Sequence, residues 1–534
     1  MPNMERPDCS LIWQCVEHWA FENRRGEATV FGEKRLDWGG FLDYSDQIAR
    51  ALLEIGVARL ERVAMLAMAR HEFLPTFMAA AKIGATWLGV SPKMSRAEIR
   101  EILLDAAPSV LIAVREYGER DLGPDIQAVL AEVPSIKRVL VIGEPVEGTD
   151  NFAGFVERNR AEMKALLAAR AQNCYPSDPI LLMYTSGSSG KPKGVLHTHT
   201  SIMASVREEA RQFGLGPDSR LLCHFPINHV AADVEIGAAA LYAGAAVVLL
   251  DHFHPMTSLE AVAAERVTVL GQVPAMFMLQ LATGAMEKAD LSSVRTFVWS
   301  GAPAQPAMVQ AIHAIAQRTG AAMYNAYGAT ELAGLATYTA PADLPETLVN
   351  AVGRTVGNWE GRIVDEARLP VAPGEEGELA FRGPIVMTEY LNQPEATAEA
   401  VDQDGWFYTG DLGYLDKAGR IILTGRKSEV FKSGGEKVHP LEAERILEQH
   451  PAVACAAVVA TPDPIYYEVG RAFILPTPGQ SPAADVLREH CRAHLANYKI
   501  PKTFEVVTQL PMLPTGKVDK SRLRAQLADD GAGG

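Results

Sequence analysis

Short apolar runs of buried-strand length alternate with amphipathic stretches through most of this chain, and that alternation narrows its possible folds more than any other feature. Residues 63–68, 85–90, 109–114 and 139–142 are mostly apolar, while 44–54 and 96–106 carry helical periodicity. Strand, helix, strand repetition of this kind predicts an α/β fold, with helices covering a sheet that has substantial parallel pairing. The texture changes near Gly374. Residues 377–381, 413–415 and 420–424 read as strands, with a hairpin turn at Asp416-Lys417-Ala418-Gly419. A polar stretch follows, then a helix over 440–449, a strand over 453–459 and a helix over 482–496. The chain therefore divides into a large N-terminal domain, 1–427, and a small α+β C-terminal domain, 428–534. Layered, helix-covered sheets and a β-rich subdomain make up the first.

Composition excludes several classes. A net charge of −15 argues against a protein that coats nucleic acid or adheres to membranes through basic patches. The longest apolar stretch, residues 236–250, is short of the ~20 residues of a membrane span. The first ten residues hold Glu5, Arg6 and Asp8 and no apolar signal core. Six cysteines without a CxxC pair read as reduced thiols, which points to the cytoplasm.

The chemistry concentrates first at Thr185-Ser186-Gly187-Ser188-Ser189-Gly190-Lys191-Pro192-Lys193-Gly194, which follows a predicted strand over 179–184 and precedes a helix from His199. Glycines let several N–H groups converge on one anion, hydroxyls add donors, and Lys191 and Lys193 add charge. Polyphosphate binding needs that combination. The spacing is not that of a Walker loop, because Gly187 and Gly190 enclose two residues and Pro192 follows Lys191.

Four more motifs follow in order: Tyr327-Gly328-Ala329-Thr330-Glu331, Tyr408-Thr409-Gly410-Asp411, Gly425-Arg426 and Leu513-Pro514-Thr515-Gly516-Lys517. Together with residues 184–195 they resemble the adenylate-forming superfamily of acyl-CoA synthetases, luciferases and peptide-synthetase adenylation domains. The whole is most similar to a stand-alone acyl-CoA synthetase. The resemblance implies a two-step reaction with ATP, Mg²⁺ and coenzyme A. A carboxylate attacks the α-phosphate, pyrophosphate leaves, and the acyl group passes to the thiol; positioning and electrostatics dominate such a transition state.

Roles follow motif by motif. Residues 185–191 and Lys193 hold phosphates, and Thr185 and Glu331 offer the hard oxygens that suit Mg²⁺. Tyr327 stacks on adenine beside Ala326 and Gly328, Asn325 pairs with an adenine edge, and Thr330 completes the nucleotide segment. Gly301, Ala302 and Pro303 supply backbone contacts. Asp411 takes both ribose hydroxyls, with Arg426 beside it. Lys517 bridges the carboxylate and the α-phosphate. In Phe225-Pro226-Ile227-Asn228-His229-Val230-Ala231-Ala232 the resemblance places His229 by the carboxylate. Val230 stands where amino-acid-activating members carry the Asp that pairs with an ammonium, so a non-amino acid is expected, with Asp233 the nearby reservation. Val230, Ala232, Ser300, Gly328, Ala329, Ala333 and Gly334 are expected to line a roomy acyl pocket.

The mobile C-terminal domain is expected to swing about Lys427 and Ser428, exchanging Lys517 for a thiol channel at Ser433, Gly434 and Gly435. The family hinge is usually Asp or Lys, so Ser428 is a departure. Two alternatives stay open: adenylation alone, with transfer to a separate carrier protein or partner ligase, and a non-catalytic nucleotide-binding regulator. A homodimer is a family habit.

Overall fold

The computed structural model describes residues 6–158, 160–186, 192–512 and 518–532, without the side chains of Ser186 and 528–532. Gly187, Ser188, Ser189, Gly190, Lys191 and Lys517, all expected site residues, lie outside the described residues.

Two large sheets organise the first 390 residues. One has eight strands and runs, edge to edge, from Glu389–Tyr390 through Pro192–Thr198, Pro179–Ser186, Thr86–Val90, Arg62–Leu66, Val110–Val114 and Arg138–Ile142 to Asp150–Asn151. The other has nine strands, with Arg220–Cys223, Val269–Gln272, Thr296–Trp299 and Ala322–Ala329 parallel at its centre. All four apolar runs of the opening segment are strands in the first sheet. Their near-continuous hydrophobicity is explained by cover on both faces. The Phe73–Lys82 helix is buried along its whole length, and Lys82 is accommodated there by ion pairs to Glu17 at 2.8 Å and Asp46 at 2.7 Å.

Helix ends follow local chemistry. Ser95 and Glu98 form a reciprocal capping box at the start of Arg96–Ala106. The periodicity at 44–54 belongs to the longer helix Trp38–Ile55, started by Asp37 accepting from the Gly40 N–H and ended by Gly56 in the left-handed region. The tail of the apolar stretch 236–250 is not one helix. A π-helix over Ala231–Ala238 passes into an α-helix over Ala239–Ala243, then a strand over Ala246–Leu249. Among the described residues no helix is long and apolar enough to cross a membrane.

A four-stranded antiparallel sheet, Glu360–Val364, Gly377–Arg382, Trp406–Leu415 and Ile421–Arg426, forms the β-rich part. Beyond it, five strands and the helices Pro440–Glu448, Ala484–Arg492 and Lys520–Ala532 form the small α+β unit, with its own apolar core around Leu447, Val458 and Leu487. Gln305 Nε2 donates to the Ala454 carbonyl at 2.7 Å, tying the large body to this unit.

Candidate active site

The expected strand, Pro179–Ser186, and the expected helix from His199 are both present, and between them stands a strand that was not expected. Pro192–Thr198 is itself a strand, antiparallel to Pro179–Ser186, and its register sets Thr185 opposite Lys193. The proline, lysine and glycine at its start disguise it in the sequence. A second strand missed by sequence, Glu389–Tyr390, pairs along its other side. Around it the Leu391 N–H donates to the Gly194 carbonyl at 2.7 Å and the Met387 N–H to the Glu331 carbonyl at 2.8 Å. Residues 387–391 therefore join the phosphate hairpin to the turn that carries Glu331. Tyr390 is the side chain that does so: its O–H donates to Glu331 Oε1 at 2.9 Å, and Lys193 Nζ lies 4.7 Å from its ring centroid. Burial and the Glu331 charge push the Tyr390 phenol up, so it stays a donor.

His197 ties the same elements from inside. Its Nε2–H donates to the Thr330 carbonyl at 2.6 Å, and Nδ1 faces Ser201 Oγ at 3.1 Å. Burial pushes His197 down to about 4. The unfolded value, near 6.5, is higher, so the unfolded chain takes up the proton first. The stability His197 contributes is complete above pH 6.5 and is lost as pH falls toward 4. Relative to His197→Gln, the wild-type advantage in denaturant unfolding should therefore shrink by about 2 kcal/mol between pH 6.5 and 5. An advantage constant across that range would show that the ring is not held neutral.

The adenine and ribose motifs meet across the β-rich sheet. Tyr327 is buried, packs on Phe381 with ring centroids 6.0 Å apart, and donates its O–H to Asp411 Oδ2 at 2.6 Å. Burial, then the Asp411 charge, pushes its phenol well up. Arg426 Nε donates to the other carboxylate oxygen, Oδ1, at 2.9 Å. Asp411 thus arrives with one partner on each oxygen, and each keeps a lone pair for a ribose hydroxyl. With Phe381 against Tyr327, a purine can stack only on the opposite face.

Asn325 spends both amide hydrogens on the carbonyls of Leu348, at 2.8 Å, and Ala351, at 3.0 Å. What it can still offer a ligand is Oδ1, an acceptor suited to an exocyclic amino group. The Ala326 methyl packs in a small core with Leu335 and Tyr338, so what it can offer a nucleotide is its backbone. At Gly328 a Cβ would stand 2.0 Å from the Gly334 carbonyl oxygen, so two backbones cross there at a distance only glycine permits.

A cavity of about 110 Å³ opens beside these strands. Leu221, Val269 and Val298 on parallel strands form its floor; Ser300, Gly301, Gly328, Ala329 and Thr330 rim it, and His229, Val230, Phe213, Phe225 and Ile236 line its sides. The roomy pocket expected from the small residues is a narrow one, because Phe213, Phe225 and Ile236 occupy the space. Ala232 and Ala333, both expected in the lining, are fully buried outside it, and Ala231 lines it instead. Gly334 stands behind the wall, where a Cβ would touch Glu235 and Val230. Gly301, expected at the nucleotide, lines this cavity too, while Ala302 and Pro303 do not. The Ala231 N–H donates to His229 Nδ1 at 3.1 Å, which puts the proton of the neutral ring on Nε2. Asp233 turns from the cavity into the core, where Trp87 Nε1–H reaches it at 3.2 Å. Two further lining residues, Glu209 and Glu235, were missed by sequence. A glutamate on the apolar face that carries Val206 and Phe213 was the available signal.

For the metal, Thr185 and Glu331 fit Mg²⁺, which binds through one or two protein oxygens, substrate phosphates and waters. Tyr390 occupies Glu331 Oε1 and leaves Oε2 for the ion. Among the described residues no group of three His, Cys, Asp or Glu forms a separate metal cage.

At the expected hinge, Lys427 Nζ pairs with Glu378 at 3.0 Å on the large body, while Glu429 takes Lys520 at 2.6 Å on the small unit. Ser428 lies exposed between these anchors. Ser433 and Glu436 pair across a two-residue turn, and positive φ at Gly434 and Gly435 makes that expected loop a tight hairpin. Ser433 is buried, so the tip presents its glycine backbone.

Comparison with known proteins adds an independent line. The family model for AMP-binding enzymes matches residues 16–391, and that for the C-terminal domain of AMP-binding enzymes matches 442–517. An indoleacetate–CoA ligase of Aromatoleum aromaticum is 32% identical, over 94% of this chain and 95% of its own. A feruloyl-CoA synthase of an Amycolatopsis species is 33% identical, over 90% and 91%. An anthranilate CoA ligase solved with anthranoyl-AMP superposes with a TM-score of 0.87 at 25% identity, covering 99% of both chains.

Proposed function

The chain belongs to the family of AMP-binding enzymes and is an AMP-forming acid–thiol ligase, and we propose that the acid it activates is a non-amino carboxylic acid bearing one aryl ring. The reaction turns the acid and ATP into an acyl-adenylate and pyrophosphate, then passes the acyl group to coenzyme A. One observation carries the substrate reading: the rim of the acyl cavity is made by Gly301, Gly328 and Thr330, residues of the nucleotide motifs themselves. An acid seated in the cavity would place its carboxylate at the adenylate. The volume, about 110 Å³, is on the scale of apolar cavities that accept a single benzene ring. Relatives named for indoleacetate, ferulate and anthranilate agree with an aryl acid. Val230 at the ammonium position, and Asp233 turned into the core, argue against an α-amino acid, since an unpaired ammonium is costly to bury.

In this reading Thr185 and Glu331 hold Mg²⁺ on the phosphates, His229 stands beside the carboxylate, and Lys517 supplies the mobile charge of the first step. The two domains are 1–427 and 428–534, and rotation occurs at Lys427 and Ser428. Ser428 lacks the charge usual at that hinge, but its neighbours are anchored on opposite sides, so it serves as the neutral link between them.

A panel of aryl, short aliphatic, long-chain and amino acids, scored for acid-dependent pyrophosphate release and for coenzyme-A thioester by mass spectrometry, tests this. Aryl acids should give stoichiometric thioester. Faster turnover of a long saturated acid would overturn the aryl assignment. Adenylate accumulating without thioester would favour transfer to a separate carrier.

A further inference from the structure

The side of the acyl cavity holds a carboxyl group that the reaction described above does not use. Glu209 lies near the end of the His199–Gln212 helix, 2% exposed, and lines the cavity with Phe213 four residues on. Its Oε2 is buried with no hydrogen-bond partner among the described residues. Glu235, from the π-helix, lines the same cavity.

The position is remote from the chemistry. Phe213 packs on Tyr324, with ring centroids 5.1 Å apart, and Tyr324 pairs in register with Val298 on the cavity floor. Thr330 at the rim lies beyond the far end of the strand Ala322–Ala329 that carries Tyr324, so Glu209 and the rim stand at different places along the same cavity. An acid with its carboxylate at the rim would therefore direct its far end toward Glu209.

A buried polar atom without a partner is costly. Burial, then the Glu235 charge, holds the Glu209 carboxyl well above the usual range. Protonated or ionised, a carboxyl there keeps an oxygen with lone pairs to offer. Its complement is a hydrogen-bond donor.

Resting on the aryl-acid ligase reading, we propose that Glu209 is a specificity-determining residue that accepts a hydrogen bond from an O–H or N–H group at the end of the acid remote from its carboxylate. A site built around such a bond rejects analogues that lack the donor, because its own polar group is then left buried and unpaired.

The test uses matched phenylacetic and cinnamic acids carrying 4-hydroxy, 4-amino, 4-methyl or 4-methoxy groups. Each is measured by equilibrium binding and by pyrophosphate release on the full-length enzyme, wild type, Glu209→Leu and Glu209→Gln. In the wild type the hydroxy and amino acids should exceed the methyl acid at least tenfold in both affinity and kcat/KM. Glu209→Leu should abolish or reverse that preference while the KM for ATP stays the same. Glu209→Gln, which keeps a carbonyl acceptor, should retain part of the preference and guards against a misfolded leucine variant. A wild type that favours the methyl or methoxy acid, or a Glu209→Leu enzyme that still selects the hydroxy acid, would overturn the proposal. Failure of the ligase reading shows differently: acids bind with the donor preference, yet none supports pyrophosphate release.

Discussion

Lys517→Ala should slow acid-dependent pyrophosphate release by about 10²–10³-fold while ATP binding persists, the usual effect of removing one donor aimed at charge developing in a transition state. Lys517 lies beyond the described residues, but its mounting does not. Met512 and Val518 pair as an isolated bridge, and the Asp519 N–H donates to the Pro511 carbonyl at 2.8 Å. The residues on either side of Lys517 are thus tied to each other. Three residues on, half-buried Lys520 holds Glu429 at 2.6 Å and Glu444 at 2.8 Å, coupling the base of that segment to the hinge turn. A rotation at Ser428 would carry these flanking residues, and Lys517 with them. The lysine should therefore matter to the first half-reaction alone. Supplied with pre-formed acyl-adenylate and coenzyme A, Lys517→Ala should make thioester at close to the wild-type rate. An equal loss in both steps, or in neither, would remove Lys517 from the adenylation role.

Asp411→Ala is expected to raise the KM for ATP about 100-fold. A hydrogen bond to a charged group contributes about 1.5–3 kcal/mol, and the reading gives Asp411 two to the ribose; losing even one at full strength approaches that factor. The same substitution should lower stability by about 1–3 kcal/mol, because the Tyr327 hydroxyl, now 2.6 Å from Asp411 Oδ2, would be left buried without an acceptor. Tyr327→Phe separates the two effects. It removes the buried donor together with its need for a partner, so KM should change far less than in Asp411→Ala. Denaturant unfolding alongside ATP-dependent initial rates resolves both quantities. An unchanged KM in Asp411→Ala would place the ribose elsewhere.

The main strands and helices were legible because each is a local pattern. Runs such as Val110–Val114 are apolar throughout, and the helix Arg96–Ala106 carries its capping pair within four residues of its start. Pro192–Thr198 and Glu389–Tyr390 escaped for the opposite reason. One begins with residues typical of loops, the other is two residues long, and both are strands only because a neighbour from elsewhere in the chain accepts their hydrogen bonds. Tyr390 went unseen with them, although it joins Glu331 to the phosphate hairpin.

The sequence by itself determined where the proposed chemistry lies. Phosphate loop, adenine segment, ribose carboxylate and lysine loop are each contiguous, since an anion cradle or a tight backbone crossing is built from adjacent peptide groups. Tertiary structure alone decided the shape of the cavity on which the proposed specificity rests. The acyl cavity draws walls from the His199–Gln212 helix, the π-helix and several strands, and its volume is what remains after Phe213, Phe225 and Ile236 have packed. Packing also consumed both Asn325 donors, sank the Ala326 methyl and turned Asp233 into the core while leaving a Glu209 oxygen without a partner among the described residues. Such outcomes depend on partners tens to hundreds of residues apart, and the free energy of a buried polar group is set by what surrounds it rather than by its neighbours along the chain.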